Sequence, residues 1–582
     1  MPDHPLVVAL DFGTTNSGYA FSTKHDYSIS PLSMSAVSWG AGTARLQSQK
    51  TPTCILFDKN KTFDSFGYKA EDKYSDLSLD EEHDDWYFFR RFKMELYNRG
   101  NIDGGFELKT QDGKKSMKAI DVFAASIKYL KDHCLETAKK QGVSFLDEEI
   151  LWILTVPAIW TEPGKQFMKK AAEKAGLPSK HLRLVLEPEA AAIFCTNLPI
   201  DRMSVEGSGS KLTVFQKGTK FLVLDAGGGT IDLTVLEVQK DGDLREVHRA
   251  NGGDWGGTVV DREFEELLKD IVGKDLFQKF KEENISDVMN LYRNFELKKR
   301  SIKQNEEGLV TFTIPPILQR LFQKKNKGGD TNALIASNKK YADVIWQTDK
   351  LRIPNTLAKS LFAKSIDAII SHVKDLFSKP EVKGTSIILM VGGYSECILL
   401  QDAVKSAIKG PKVIVPLDAG LSILKGAVIN GHAPRIITTR ICRFTYGVAC
   451  NRKFREGKDK EEYRVRGARG DSRCVNGFKI YAQKGTPVEL GSSVQKFTFH
   501  VSSPTETGID LPVYASDDLN PDYVTNETCQ RIGMLRIEMP DTSRGLCREA
   551  EVKMIFGGTE IEVEAVDLET KKETKASFSC VA

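Results

Sequence analysis

The chain has 582 residues, 41% hydrophobic and 28% charged, with a net charge of +3 at neutral pH. That length exceeds one ordinary core and predicts about two to four domains. The near-zero net charge gives no basis for binding nucleic acid or an anionic membrane, and no apolar run approaches the roughly 20 residues of a membrane span.

Met1-Pro2-Asp3-His4 leads straight into the first apolar run, which leaves no room for a signal peptide. The ten cysteines are scattered, with no C-x-x-C pair and no His/Cys cluster at zinc spacing. Cys134 and Cys195 fall inside predicted helices and read as small buried apolar residues, so a reducing, cytoplasmic setting is the expectation.

Leu6-Val7-Val8-Ala9-Leu10 predicts a strand buried on both faces, and Asp11-Phe12-Gly13-Thr14-Thr15 follows where that strand ends. Glycine admits a ligand close to the backbone, while successive N–H groups and Thr hydroxyls can surround a phosphate. Asp11 beside such a loop suits Mg²⁺ held through water. A tight hairpin with a polar tip is the plainer reading of one such loop.

Ser30 to Lys50 is polar and reads as a surface excursion, before a strand at Thr51–Phe57. The acidic run Asp80–Asp85 reads as a solvated loop or helix start, and the apolar stretch after it carries Lys93, a candidate for placing its ammonium in a cleft rather than snorkelling to water. Helical spacing predicts a long amphipathic helix over 119–141. A buried strand at Ile150–Val156, a helix at about 162–175 and a strand at Leu182–Leu186 lead to Glu187-Pro188, which opens another helix. Glu187 is left at the strand-to-helix corner, and Glu189 reads by spacing alone as an acid complementing the helix dipole.

Residues 199–219, with Gly207-Ser208-Gly209-Ser210, read as a flexible loop. Phe221-Leu222-Val223-Leu224-Asp225-Ala226-Gly227-Gly228-Gly229-Thr230-Ile231-Asp232 then repeats the first pattern of strand, Asp, Gly/Thr turn and second strand. The recurrence predicts duplicated halves facing each other, with one nucleotide between two phosphate loops and Asp11 and Asp225 near the metal. Gly256-Gly257 follows, then helices predicted at about 261–282 and 286–303, the second placing Glu296, Lys299 and Arg300 on one face. Segment 319–349 is basic and irregular and reads as an insertion. A helix at about 355–378 precedes a third buried strand ending in Val391-Gly392-Gly393, where a diglycine serves close packing or lets a planar ligand lie on bare backbone. Pro416-Leu417-Asp418 opens a small-residue helix over 419–429. From about 440 period-2 runs dominate, so residues 435–582 are expected to form an antiparallel β domain after an α/β domain at 1–434.

Together, Asp11-Phe12-Gly13-Thr14-Thr15, Glu187-Pro188, Asp225–Thr230 and Val391-Gly392-Gly393 resemble the actin, hexokinase and 70-kDa heat-shock chaperone superfamily, most of all the divergent heat shock 70 kDa protein 12 group. The resemblance covers about 5–432. It implies an α/β, two-lobed actin-like ATPase fold of duplicated RNase H-like domains, followed by a C-terminal antiparallel β-sandwich domain. It further implies MgATP, or ADP after turnover, held between the lobes. Asp11 and Asp225 would face the water shell of Mg²⁺, and Gly13, Thr14, Thr15 and Gly227, Gly228, Gly229 and Thr230 would bind phosphates. Lys93 would orient the attacking water with Glu187, making Lys93, Glu187, Asp225 and Thr230 the catalytic set. Gly256, Gly257, Glu296, Lys299, Arg300, Gly392, Gly393 and Asp418 would line the nucleoside pocket.

Three features depart from the chaperone pattern. Arg300 matches one of the two arginines that sandwich adenine, but Glu396 stands where the other is expected. The leucine-rich interdomain linker is replaced by Arg435-Ile436-Ile437-Thr438-Thr439. The β region only weakly resembles a substrate-binding sandwich, with neither a helical lid nor an acidic cochaperone tail before Ala582. The implied function is a slow ATPase of the stress-response chaperone type that binds protein or peptide segments, without nucleic-acid or membrane partners and with no oligomeric state indicated. A nucleotide-gated, non-hydrolysing adaptor and a small-molecule kinase are the alternatives.

Overall fold

Apolar runs flanked by Gly/Thr turns form the central strands of two sheets. The computed structural model describes residues 4–40, 47–97, 99, 102, 105–142, 144–199, 203–205, 215–304, 307–434, 436–557 and 560–579. Strand Leu6–Phe12 is buried along its whole length. It pairs antiparallel with Asn16–Thr23 and parallel with Ile150–Val156, which in turn runs parallel to Leu182–Leu186. The second sheet repeats this plan: Lys220–Ala226 lies beside Ile231–Val238 and runs parallel to Thr385–Val391, itself parallel to Lys412–Pro416. Strands covered on both faces need near-continuous apolar sequence, and these supply it.

Each sheet's last parallel strand hands over to a helix, Glu187–Thr196 in the first and Ser422–His432 in the second. These two helices pack on each other so closely that a Cβ on Gly426 would overlap the carbonyl oxygen of Ala190, and Ser422–His432 also lies against the first sheet, where a Cβ on Gly431 would overlap Val7. The duplicated strand–turn pattern is therefore duplicated in the topology.

Helices Ala119–Lys140, Glu162–Lys174 and Asn355–Phe377 lie where their apolar periodicity predicts. Elsewhere the structure differs from the sequence reading. Helix Tyr68–Leu79, missed in the sequence, precedes the acidic run, which holds a short turn at His83–Asp85. The helix predicted over 261–282 is two helices, Thr258–Val272 and Lys274–Glu283, broken at Gly273, whose φ of 91° a chiral residue rarely adopts. Segment 319–349 is not irregular: it takes in most of helix Pro316–Lys325, then helix Thr331–Ala336 and strand Ile345–Gln347, with Trp346 and Tyr341 buried. Ser30–Lys50 is not wholly a surface excursion, since Trp39 is buried. The helix predicted over 419–429 starts at Ser422, after a single turn at Ala419–Leu421. The Gly/Ser run at 207–210 lies outside the described residues.

The chain divides into two compact units, Met1–Thr234 with Ala250–Ala433, and Val235–Arg249 with Pro434–Ala582. Within the second, Arg464–Arg466, Ser472–Ala482, Thr445–Lys453, Gly508–Ser516 and Cys529–Glu538 form a five-stranded antiparallel sheet. Ser493–His500, Glu549–Phe556, Glu560–Asp567 and Glu573–Ser579 form a four-stranded one. Tyr446, Val448, Val513 and Leu535 of the first share a core with Val552, Met554, Phe556 and Val563 of the second, which makes the unit a sandwich. The stretch predicted as a linker is strand Ile437–Ile441, paired with Leu244 and with Pro487–Glu489; its first predicted residue, Arg435, and the turn residue Gly558 lie outside the described residues.

Candidate functional site

Asp11 ends a fully buried strand, and both its oxygens are engaged. Oδ2 accepts a hydrogen bond from Lys50 Nζ at 2.6 Å and Oδ1 accepts one from Thr155 Oγ1 at 3.0 Å. Burial pushes the carboxyl up, but Lys50, Lys93 and the Thr155 hydroxyl outweigh it and hold Asp11 below the usual carboxylate range. Asp225 ends the equivalent strand of the second sheet in the opposite condition. It is buried, and its Oδ1 has no hydrogen-bond partner among the described residues. Burial, then the neighbouring Glu187, Asp232 and Asp11, push it well above the carboxylate range. Lys50 opposes this only in part, and a buried carboxylate oxygen with no hydrogen-bond partner among the described residues is what a hydrated divalent ion fits, so the donor set suits the ion the fold implies.

Lys93 lies in the single turn Phe92–Leu96 and is almost wholly buried. Its Nζ donates to Glu187 Oε1 at 2.9 Å and lies 5.1 Å from the centroid of the Trp160 ring. Glu187 reaches it because the strand Leu182–Leu186 turns into a helix at that residue. Burial raises the Glu187 carboxyl and Asp11 adds to this, against the opposing pull of Lys93. Asp232 Oδ1 accepts the backbone N–H of Ile159 at 2.8 Å, and burial followed by Glu187 pushes its pKa up to about 7. Lys50, Thr155 and Asp232 complete the cluster and were absent from the sequence-derived set. The Asp232 signal was available in the repeated hairpin; nothing in the sequence around Lys50 singled it out.

The second Gly/Thr turn is closed by Gly227 N–H donating to Thr230 O at 3.0 Å. Its carbonyls are then tied down by the next segment: the N–H groups of Gly256, Gly257 and Thr258 donate to Gly229, Gly227 and Gly228 at 3.2, 3.1 and 2.8 Å. The two turns approach each other. A Cβ on Gly228 would come within 2.5 Å of the Thr15 side chain, and one on Gly229 within 2.5 Å of Thr14 Oγ1. A Cβ on Gly13 would overlap Asn16 O, so the first turn needs its glycine as well. Thr14, Thr15, Gly228 and Gly229 are thus brought together, beside Asp11 and Asp225.

Beside Asp225, Gly392 has φ 84°, donates its N–H to Ala419 O at 2.9 Å, and could not carry a Cβ without meeting Asp225 Oδ1 at 2.5 Å. A Cβ on Gly393 would meet nothing within 4 Å, which leaves bare backbone facing open space. Helix Ile285–Lys299 supplies a charged network here. Lys299 Nζ pairs with Asp261 Oδ1 at 2.7 Å and with Glu296, while Arg91 pairs with Asp261 Oδ2 at 2.7 Å. Arg300 pairs with Glu296 at 2.9 Å and with Glu396 at 3.4 Å. Asp418 stands apart from this network, paired with Lys425 at 2.7 Å, although its neighbour Ala419 backs Gly392. Asp261 and Arg91 are two further residues the sequence reading missed.

A family model described as "Hsp70 protein" matches residues 7–315. Human heat shock 70 kDa protein 12A is 34% identical over 98% of this chain and 91% of its own length. Human heat shock 70 kDa protein 12B is 33% identical over 98% of this chain and 90% of its own. The chaperone protein DnaK of Mycoplasmopsis synoviae (strain 53) is 24% identical over 57% of this chain and 48% of its own.

Proposed function

The chain belongs to the Hsp70 family, with the actin-like ATPase fold followed by a β-rich region, and on that premise we propose that the site around Asp11 and Asp225 binds MgATP and hydrolyses it slowly. The observation that carries the reading is the convergence of two Gly/Thr turns on two buried acids, with Lys93 and Glu187 joined beside them. Phosphoryl transfer needs positioning and electrostatic stabilisation more than covalent help from the protein, and this is what such a cluster supplies.

In this reading Thr14, Thr15 and the turn Gly227–Thr230 hold the phosphates, and Gly392-Gly393 with Arg300 borders the nucleoside. Mg²⁺, when bound, supplies positive charge against the phosphate oxygens, and Asp225 together with Asp11 would hold its water shell. Lys93 and Glu187 orient the attacking water. Its oxygen bonds to the terminal phosphorus as the bridging P–O bond breaks, and the proton it loses passes to a nearby carboxylate. Asp232, with a pKa of about 7, suits that acceptor role at physiological pH. The second unit would hold extended protein segments on its sandwich, and the whole would act in the cytoplasm.

MgATP should raise the melting temperature of the full chain, because a ligand that binds only the folded form adds RT ln(1 + [L]/Kd), about 2.7 kcal/mol at a hundredfold excess over Kd. Gly228→Val, which drives a branched side chain into Thr15, should lose that shift. An unchanged melting temperature for the wild type in saturating MgATP would sink the reading.

A further inference from the structure

Lys50 is a cation built in beside Asp11. The segment carrying it is stitched to the first Gly/Thr turn: Thr51–Pro52 pairs with Asn16–Ser17, Thr53 N–H donates to Thr15 O at 2.9 Å, and Thr53 Oγ1 donates to Gly13 O at 2.7 Å. The Lys50 stem runs along the bare face of Gly18, where a Cβ would come within 3.2 Å of Lys50 Cγ. Its ammonium then reaches Asp11 Oδ2 at 2.6 Å, with the lysine side chain only 18% exposed and the Asp11 side chain 4%. A long side chain held this way has given up its freedom to stay in water.

The consequence is an asymmetry between the two acids. Asp11 already has its charge matched by Lys50 and its second oxygen occupied by Thr155, whereas Asp225 Oδ1 is unpartnered among the described residues. A divalent ion entering here therefore meets one open acid and one that has a tethered ammonium on it. Four acids (Asp11, Glu187, Asp225, Asp232) share this cluster with two lysines, Lys50 and Lys93, and Lys93 is committed to Glu187.

We propose that Lys50 is a resident counter-cation of the nucleotide site, supplying at Asp11 part of the positive charge that a divalent ion otherwise brings, so that nucleotide affinity depends only weakly on that ion. The inference rests on the nucleotide reading above. Close to a phosphate in a water-poor cleft, a fixed ammonium attracts the anion strongly, and it cannot be removed by chelation. The same ammonium competes with the ion for Asp11.

Calorimetric titration of the full chain with ADP, in excess Mg²⁺ and again in EDTA, tests this. Wild-type affinity should fall by no more than about tenfold on chelation, and Lys50→Arg should behave alike, because the charge is retained. Lys50→Met, which keeps the stem and removes the charge, should fall by about a hundredfold or more in EDTA and recover most of its affinity in Mg²⁺. Equal losses on chelation in wild type and Lys50→Met would overturn the proposal. A loss of about a hundredfold in the wild type would overturn it without any variant. Wild-type protein that binds no ADP even in excess Mg²⁺ would overturn the nucleotide reading itself, and this inference with it.

Discussion

The two ends of the site are built to different standards. Around Asp11, Lys93, Glu187, Asp225 and Asp232, the side chains are buried, and Gly13, Gly228 and Gly229 of the flanking turns have no room for a Cβ. Around Arg300, Glu296 and Glu396, the side chains are between about a third and a half exposed and the charges satisfy one another in ion pairs. Charges stripped of water interact strongly and tolerate little change, whereas exposed pairs contribute between nothing and about 1 kcal/mol. The difference teaches that the Asp11–Asp225 end is packed to tolerate little change while the Arg300 end is a self-paired surface, and on the proposed reading these are the ends that take the phosphates and the base. Substitutions should therefore act strongly at the first end and weakly at the second.

The largest effect is expected at Lys93. Removing one partner of a buried ion pair typically costs about 3–5 kcal/mol, less where the partner left behind can take up a proton, and the raised Glu187 carboxyl can do so. Lys93→Ala should accordingly be destabilised by about 3 kcal/mol or less, and more at alkaline than at acidic pH, where Glu187 is neutral. Phosphate release should fall by about a hundredfold or more while nucleotide affinity changes by under about tenfold, because orienting a water helps the transition state more than the ground state. Chemical denaturation at two pH values and single-turnover phosphate release read these separately. Hydrolysis at wild-type rate in the variant would remove Lys93 from the reaction.

Asp232 gives a smaller, pH-dependent effect. Its folded pKa of about 7 lies above the ordinary carboxylate value of 3.8, so between those values the unfolded chain binds fewer protons than the folded one. Stability contributed by this group is fully present below about pH 4 and is lost as pH rises towards 7, at up to about 1.4 kcal/mol per pH unit. Asp232→Asn keeps an oxygen for the Ile159 N–H and cannot ionise, so the ligand-free protein should gain stability at neutral pH, by an amount on the order of 1–4 kcal/mol. Its unfolding free energy should also vary less between pH 4 and 7. A pH profile identical to wild type would show that Asp232 titrates normally.

How far the sequence foretold this contrast depends on the kind of signal each residue leaves. The buried strands and Gly/Thr turns were legible because Leu6–Leu10 and Phe221–Leu224 are continuous apolar runs followed by an acid and glycines, and the pattern recurs. Glu187 and Lys93 were legible through a Glu-Pro corner and a cation inside an apolar stretch. Lys50 was not, because it closes a polar segment with no periodicity, and its direction is set by the tertiary contact with Gly18. Asp261 and Arg91 were missed for a similar reason: on a helix and at a turn, each looks like an ordinary surface charge until Lys299 is brought against Asp261. Segment 319–349 misled because its lysines mask the few apolar residues of two short helices, Phe322 on one and Ile335 on the other.

The smallest effect is expected at Glu396. Its carboxylate pairs with Arg300 at 3.4 Å, and Glu296 pairs with the same guanidinium at 2.9 Å, so Arg300 is held by two acids and has less freedom to stack on a base. Glu396→Arg would remove one of those acids, at a cost of about 0–1 kcal/mol for an exposed pair, and would set a second guanidinium near Arg300. Against this, each guanidinium laid over adenine gains about 0.5–2 kcal/mol from cation–π attraction, with the upper part reached only when the contact is desolvated. With the side chains here roughly half exposed, the gain should sit near the lower end, and ATP should bind about two- to fivefold tighter in the variant. Because the contact is to the base, the tightening should be seen with ATP and ADP and be absent with inorganic triphosphate. Calorimetry with those three ligands decides it: equal tightening for triphosphate would mean the added charge acts on phosphates, and no tightening for any would mean residue 396 does not face the base.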